Sequence, residues 1–281
     1  MKRLIVILGV VGVSLSALLV RWSTAPSLIM ALYRMVFAAA LLTPAALQKG
    51  QFFSLTRREL GLSLLSGAFL GLHFTCYFEA VNRTSIASAV VLVDTEVLFV
   101  ALASVLILKK KLSPRVWLAV LTAFGGSALV ALADRSGGAG ALFGDLIALT
   151  GALCVSVYTM LGSVCRERLT TTAYTYLVYL SASGTLLVIA LTTGTPLAGY
   201  GPVNLLTGLG MAVFCTLLGH SVFSWGLKYL PPAFISTVKL LEPVISAVYG
   251  LFLFGERPGL LVFLGGGLIL LGIALYGREE A

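Results

Sequence analysis

TVKLLEPVISAVYGLFLFGERP, residues 237–258, is an almost wholly apolar run that nevertheless contains opposite charges. Lys239 and Glu242 lie one helical turn apart, and Pro243 follows directly and is expected to kink a helix there. A central charge in a membrane helix costs about 2.5–3.5 kcal/mol on translocon scales. The run therefore predicts a membrane helix whose charged residues have partners or a function.

The composition of the chain indicates an all-α integral membrane protein. Of its 281 residues, 59% are hydrophobic and 11% are charged, whereas soluble domains carry about 25% charged residues. Several apolar runs reach about 20 residues, which suits a membrane helix and is too long for a strand of a membrane barrel. The net charge of +8 comes from basic residues between these runs, so we expect no nucleic-acid partner.

Proline- and glycine-containing breaks divide the chain into ten predicted transmembrane helices. The predicted spans are 4–20, 27–47, 61–80, 85–107, 115–133, 142–162, 172–193, 203–227, 231–254 and 258–276. The start of the chain resembles a secretory signal, but its apolar run is longer than a signal core and no small-residue cleavage site follows. We therefore expect the first span to be retained.

The distribution of lysine and arginine orients these spans. With the N-terminus in the cytoplasm, 13 basic residues fall on the cytoplasmic side and 4 on the other. The cytoplasmic ones are Lys2, Arg3, Lys49, Arg57, Arg58, Lys109, Lys110, Lys111, Arg115, Arg166, Arg168, Lys228 and Arg278. The others are Arg21, Arg83, Arg135 and Arg257. The positive-inside rule then predicts a multi-pass protein of the inner or plasma membrane with both termini cytoplasmic.

The two halves of the chain resemble one another after a shift of 147 residues, the spacing of His73 and His220. The same shift moves the spans 61–80, 85–107 and 115–133 onto the last three spans. We therefore predict one five-helix repeat over residues 1–135 and a second over residues 140–281. Because five is odd, the second repeat is inverted in the membrane, an architecture typical of secondary transporters.

Charged residues inside the spans mark the candidate site. Glu96 and Glu242 lie near the middles of the fourth and ninth spans, which the repeat relates to each other. Lys239 precedes Glu242 by three residues, and helical spacing puts both on one face. We expect Lys239 to be a substrate anchor or the gate partner of Glu242. A purely structural ion pair is the alternative.

Asp94 and Glu96 flank Thr95 in the fourth span. At about 100° per residue they point about 200° apart, so both cannot face one centre. We assign Glu96 to a transport cavity and Asp94 to an interhelical partner, with Arg34 as a candidate. Burial favours a protonated carboxyl and a nearby lysine favours the ionised form. Glu96 has no lysine nearby in its own helix and is therefore the expected proton carrier, with Glu242 and Asp94 as further proton-coupling candidates.

Aromatic and histidine side chains complete the predicted substrate site, each with a packing alternative. Tyr77, Tyr158 and Trp225 are candidates to stack against a substrate. The two histidines are either proton carriers or buried side chains bonded to a neighbouring helix. The predicted substrate-binding set is Arg34, His73, Tyr77, Glu96, Tyr158, Trp225, Lys239 and Glu242.

The sequence has no motif typical of a soluble enzyme. It lacks the G-x-S-x-G, H-E-x-x-H and P-loop patterns, and its 4 cysteines lack metal-binding spacing. We therefore expect no enzymatic activity, no cofactor and no metal.

Several spaced motifs are specific in combination. They are Trp225, Leu230-Pro231, Glu242-Pro243, Gly255-Glu256-Arg257, Gly266 and Gly272, with ALYRMVFAAALL around Arg34 and RTSIASAVVLV before Asp94. Through them nearly the whole chain resembles the EamA-type permeases of the drug/metabolite transporter superfamily. The resemblance implies ten helices in two inverted repeats, a central cavity open to each side in turn, and transport of metabolites, amino acids or drugs, mostly outward. The chain departs from this pattern at Glu96, where the first repeat usually has proline, and at Leu108-Lys109, where it usually has Gly-Glu.

These observations lead to the hypothesis of a secondary transporter that exports a small polar or zwitterionic, amino-acid-like metabolite and is coupled to protons. A lipid-linked sugar flippase-type protein, an importer of the same fold, and a membrane scaffold or sensor are the alternatives. The expected partners are a small-molecule substrate and the lipid bilayer, and the expected assembly is a monomer or homodimer.

Overall fold

Long apolar helices make up most of the chain. The structure is a computed structural model that describes residues 1–48, 55–83, 86–132, 141–255 and 259–279. Its helices are α1 (Lys2–Arg21), α2 (Ser27–Gln48), α3 (Arg57–Arg83), α4 (Ile86–Asp94), α5 (Glu96–Leu106), α6 (Pro114–Leu132), α7 (Ala141–Cys165), α8 (Thr171–Thr192), α9 (Pro202–Gly210), α10 (Ser221–Gly226), α11 (Pro232–Lys239), α12 (Glu242–Phe254) and α13 (Leu260–Glu279). A π-helix, Met211–His220, joins α9 to α10 and is called the π segment below. These described ranges contain no strand.

Eight of the described helical stretches are long and apolar enough to cross a membrane. They are Ser27–Gln48, Arg57–Ala80, Ala89–Leu106, Leu142–Cys165, Thr171–Thr192, Pro202–Gly226, Pro232–Leu253 and Leu260–Arg278, and Pro114–Val130 is a shorter apolar helix. The all-helical membrane class is therefore confirmed, and the protein is a multi-pass membrane protein. The count of ten crossings and the inverted repeat stay predictions.

The described helices begin and end within four residues of the predicted spans. The predicted repeat boundaries at residues 135 and 140 lie outside the described residues. The same holds for Glu256 and Arg257 of the family motif and for three residues of the charge count, Lys49, Arg135 and again Arg257.

Pro243 interrupts the predicted continuous helix 231–254. The helix ends at Lys239 as α11 and resumes at Glu242 as α12. Proline lacks an N–H group, and its ring clashes with the carbonyl four residues earlier, which here belongs to Lys239. The expected kink is therefore a full break, bridged by tight turns in which Leu240 and Leu241 donate to carbonyls three residues back.

The predicted helix 85–107 is interrupted at Thr95, which separates α4 from α5. The Thr95 hydroxyl donates to the carbonyl oxygen of Leu92 over 2.5 Å. Such short side-chain bonds to the backbone compete with regular helix bonding. The break contains neither proline nor glycine, so the sequence pattern did not predict it.

The chain divides into two compact units. The first unit comprises Met1–Thr75 and Val157–Tyr229, and the second comprises Cys76–Ser156 and Leu230–Ala281. In the first unit, α2 packs against α8 and against the π segment, which also contacts α1. In the second unit, α6 packs against α13, and α11 packs against α5. Each unit thus combines segments from both halves of the sequence.

Two glycines allow α6 and α13 of the second unit to pack closely. A Cβ atom at Gly126 would lie 2.5 Å from the carbonyl oxygen of Gly265, and one at Gly265 would lie 2.5 Å from that of Gly126. Only glycine permits backbones to approach this closely. Because α5 and α11 also contact α6, this packing supports the helices that contain the charged residues.

Candidate functional site

Lys239, the expected substrate anchor or gate partner of Glu242, forms an ion pair with Glu96. Its Nζ atom lies 2.7 Å from each carboxylate oxygen of Glu96. The prediction assumed unbroken helical spacing between Lys239 and Glu242, but the helix ends between them. The packing of α11 against α5 instead brings the ammonium group to the carboxylate of the other interrupted helix.

Glu96 receives a third hydrogen bond, from Ser236. The Ser236 hydroxyl donates to Oε1 of Glu96 over 2.9 Å, and Ser236 belongs to the same short helix as Lys239. The side chains of Glu96 and Lys239 are 9% and 17% exposed. A buried ion pair offsets its desolvation only when further hydrogen bonds satisfy the charged atoms. Ser236 and the doubly bonded ammonium group meet this condition and favour the ionised form of Glu96.

Asp94 has a hydroxyl partner on a neighbouring helix. It is the last residue of α4 and accepts a hydrogen bond from Ser127 of α6. The interhelical partner found for Asp94 is therefore Ser127. Asp94 also interacts electrostatically with Glu242, Glu96 and Lys239.

Glu242 and Tyr77 extend this group of charged and polar residues. Glu242 is the first residue of α12 and is half-buried. Its charge interacts with the Tyr77 hydroxyl and with Asp94. The second unit therefore brings together five predicted site residues, Tyr77, Asp94, Glu96, Lys239 and Glu242, around the breaks in its two interrupted helices.

Arg34 belongs to the first unit and is buried at 2% exposure. Its Nε donates to the Thr216 hydroxyl over 2.7 Å, and its Nη1 approaches the Ser16 hydroxyl at 3.4 Å. The guanidinium group also lies 4.8 Å from the centre of the Phe74 ring, in range for a cation–π interaction. These contacts orient Arg34 through three different helical elements.

The two histidines both contact Phe74 of the first unit. The ring centres of His73 and His220 lie 5.4 Å and 5.9 Å from that of Phe74. His220 ends the π segment, and its ring also lies 6.5 Å from Tyr158 and 6.0 Å from Phe223. These contacts agree with the packing alternative and leave the proton-carrier alternative open.

The π segment positions polar groups in the first unit. Thr216, the partner of Arg34, lies within it, and its carbonyl oxygen accepts a 3.4 Å hydrogen bond from Tyr179. The Tyr179 hydroxyl is also 2.9 Å from that of Ser221, the first residue after the segment. Single π turns are frequent at functional sites. A ten-residue π segment has no signature in the sequence pattern, so it was not predicted.

Tyr158 and Trp225 have partners near the end of α10. The Tyr158 hydroxyl lies 3.2 Å from that of Ser224. The Trp225 ring lies 4.9 Å from that of Tyr229, over which the ammonium group of Lys2 is placed at 4.3 Å. This aromatic contact agrees with the packing alternative for Trp225 and leaves the substrate-stacking alternative open.

Arg166 was counted as a cytoplasmic topology marker, but it is only 2% exposed. It donates to the carbonyl oxygens of Ser224 and Leu169 and to the hydroxyl of Thr171, the last over 2.7 Å. Burial lowers the pKa of its guanidinium group, although arginine stays protonated in proteins. The contacts join the end of α7 to α8 and α10.

The functional contacts that the sequence did not predict come from small hydroxyl side chains: Ser16, Ser127, Thr216 and Ser236. Serine and threonine are common in membrane helices, so their identity alone does not reveal which of them face a charge. In the described ranges, no three His, Cys, Asp or Glu side chains are grouped as a metal site would require.

Comparison with known proteins finds similarity along the chain. A family model described as the EamA-like transporter family matches residues 2–132 and 142–278. An uncharacterized transporter of Archaeoglobus fulgidus is 25% identical over 261 residues, which cover 89% of this chain and 88% of the relative. An uncharacterized transporter of Clostridium kluyveri is 24% identical over 245 residues, which cover 84% and 79%. A protein of known crystal structure, 17% identical, shares the fold with a TM-score of 0.84 over 99% of this chain and 97% of that chain.

Proposed function

The chain belongs to the EamA-like transporter family, and on this basis we propose that it is a secondary transporter exporting a small polar or zwitterionic, amino-acid-like metabolite. It is a membrane transporter by its family and by its similarity to proteins named as uncharacterized transporters. The observation that carries the finer proposal is the buried Glu96–Lys239 ion pair, formed where one interrupted helix packs against another.

A buried ion pair of this kind favours a transport role over a structural one. Ionisable residues inside a membrane are costly, and they usually mark substrate or ion pathways. Apolar side chains of similar volume often stabilise a protein as well as a buried pair does. Interrupted helices are also the elements from which many secondary transporters build their binding sites.

We propose an architecture of ten helices in two inverted repeats, residues 1–135 and 140–281, with both termini cytoplasmic in the inner or plasma membrane. The 147-residue shift takes Thr95 to Glu242, so the break between α4 and α5 corresponds to the break between α11 and α12 within two residues. This correspondence, and the mixing of both halves in each compact unit, support the proposal. The basic residues on the cytoplasmic side support the orientation.

The substrate class follows from the charges of the candidate residues. In the second unit, Lys239 is proposed to bind a carboxylate, and Glu96 and Glu242 are proposed to bind an amine. Arg34 of the first unit is a further candidate for binding a carboxylate. His73, Tyr77, Tyr158 and Trp225 are proposed to contact the rest of the substrate. Candidate residues of both positive and negative charge suit a zwitterionic substrate better than a purely cationic one. The proposed partners are this metabolite and the lipid bilayer, in a monomer or homodimer without nucleic acid.

Proton coupling through the carboxylates of the second unit is part of the proposal. Asp94 interacts electrostatically with the carboxylates of Glu96 and Glu242 and with the ammonium group of Lys239. The negative charges of these carboxylates exceed the positive charge, and a bound proton relieves this excess. A proton that is taken up on one side of the membrane and released on the other couples substrate export to the proton gradient, which supplies the driving force.

Transport by the purified protein in liposomes tests the proposal. Radiolabelled amino acids, amines and sugar phosphates are presented with an imposed pH gradient, and protein-free liposomes and the Lys239→Met variant are the controls. We expect accumulation of at least one zwitterionic amino acid by the wild type and background accumulation by the variant. Export is tested by loading the liposomes and following efflux from protein of known orientation.

Two results would contradict the proposal. Movement of a lipid-linked sugar, without transport of any soluble compound, would assign the protein to the flippase alternative. Equal transport by the wild type and the Lys239→Met variant would remove the ion pair from the mechanism.

A further inference from the structure

Asp94 and Glu96 lie on either side of one helix break and have different surroundings. From this difference we propose that Asp94, positioned by the hydroxyl of Ser127, is the residue that gains and loses the coupling proton, whereas Glu96 stays ionised. The inference rests on the proposed function and replaces Glu96, the expected proton carrier, with its neighbour. Ser127 is accordingly a positioning residue.

Glu96 is stabilised as a carboxylate by three hydrogen bonds. The ammonium group of Lys239 contacts both of its oxygens, and Ser236 donates to one of them. Protonation of Glu96 would leave the Lys239 ammonium group buried without this counter-charge, which opposes the change.

Asp94 has a different set of neighbours. It is the last residue of α4 and accepts a hydrogen bond from Ser127 of α6. The charged groups that interact with it are Glu242 of α12, Glu96 of α5 and Lys239 of α11, while Tyr77 of α3 interacts through its hydroxyl. Two of these groups are carboxylates, and the single ammonium group is bonded to Glu96. A proton on Asp94 therefore relieves repulsion without breaking an ion pair.

Ser127 suits both states of Asp94. Its hydroxyl is fully buried and bonded to an Asp94 oxygen. A hydroxyl donates to a carboxylate and accepts from a carboxylic acid after a simple rotation. The contact therefore survives when the proton is added to an Asp94 oxygen and again when it leaves. In contrast, the ammonium group next to Glu96 can only donate.

Infrared titration of the carboxyl band tests this assignment without a substrate. The protein in detergent is titrated between about pH 5 and pH 9, above the range in which solvated carboxyls change state. We expect a titrating band in the wild type, its loss in Asp94→Asn, and its retention in Glu96→Gln. Asp94→Glu should restore a titrating band, which separates a lost proton site from a misfolded protein.

The serine variants test the positioning role. A hydrogen bond to a charged group is stronger than one to a neutral group, so Ser127 stabilises the carboxylate form of Asp94 more than the acid form. Ser127→Ala should therefore raise the pH midpoint of the carboxyl band by about half to one pH unit. The matched control is Ser236→Ala. Because Ser236 contacts Glu96 and not Asp94, this substitution should leave the pH midpoint of the carboxyl band unchanged. Size-exclusion profiles and thermal unfolding verify that each variant is folded.

The proposal is overturned if the band persists in Asp94→Asn and disappears in Glu96→Gln, or if the wild type has no titrating band. An unchanged midpoint in Ser127→Ala removes the role of that serine. These outcomes differ from a failure of the proposed function, in which the liposomes transport none of the tested compounds while the band still titrates.

Discussion

Lys239 is a half-buried cation and Arg166 a buried one, and they have different kinds of partner. Lys239 binds a carboxylate, Glu96, at a helix break in the second unit. Arg166 binds two backbone carbonyls and a hydroxyl at the end of α7 in the first unit. An ammonium group bound to a carboxylate can exchange that partner for the carboxylate of a substrate, whereas backbone carbonyls and a hydroxyl offer Arg166 no ionic partner to exchange. We infer that Arg166 is structural and that Lys239 belongs to the transport mechanism.

The comparison also shows that burial alone does not identify a functional charge. Arg166 is 2% exposed, whereas the Lys239 side chain is 17% exposed. Two features distinguish Lys239 from Arg166. Its partner is a carboxylate, and the helices that carry Lys239 and Glu96 are both interrupted next to these residues. The variants below are chosen to test this distinction.

Lys239→Met should have the largest effect on stability. The substitution leaves the Glu96 carboxylate buried without its counter-charge, which costs about 3–5 kcal/mol. Unfolding of the purified protein in detergent measures the free-energy difference from the wild type. A loss below that of Arg166→Gln would contradict the account of the pair.

The double variant Glu96→Gln with Lys239→Met should recover most of that loss. Neutral side chains of similar size remove both charges together, and such replacements of buried pairs are often nearly neutral. The two single variants and the double variant form a cycle that measures the coupling between the residues. Additive effects in this cycle would mean that the two side chains do not act as a pair.

Arg166→Gln should reduce stability by about 1–3 kcal/mol, because buried carbonyl acceptors lose their donor. Transport per folded molecule should equal that of the wild type. Within the described residues Arg166 has no carboxylate partner, so no single neutralising change should rescue this variant. Reduced transport by folded Arg166→Gln would place the arginine in the mechanism.

Ser236→Ala should have the smallest effect, about 1 kcal/mol, since Glu96 keeps both bonds to Lys239. Thermal unfolding next to the wild type detects the change. A loss as large as that of Lys239→Met would show that the serine and not the lysine is the main partner of Glu96.

The sequence predicted the parts of the fold that depend on local pattern. Apolar runs and their proline-containing breaks located the helices, and Pro243 marked one of the two interruptions. The break at Thr95 was missed because it depends on a hydroxyl bond to the backbone, which many threonines in helices form without breaking them. The π segment was missed for a similar reason, since its residues are ordinary helix formers.

The charged residues inside the spans could be identified from the sequence, but the ion pair between Lys239 and Glu96 could not. Lys239 and Glu242 are close in sequence, so local spacing suggested that they form a pair. Glu96 lies 143 residues before Lys239, and only the packing of α11 against α5 brings them together. Ser127 and Ser236 could not be selected from the sequence, because their importance depends on the carboxylates that they contact across helices.

Transport by the double variant Glu96→Gln with Lys239→Met is the most direct test of the claim that this ion pair works in transport. Folded protein with near wild-type stability is placed in liposomes beside Arg166→Gln, with the radiolabelled amino acid that the wild type accumulates. We predict background accumulation by the double variant and wild-type accumulation by Arg166→Gln. Accumulation by the double variant at the wild-type rate would show that the Glu96–Lys239 pair is structural and would contradict the account.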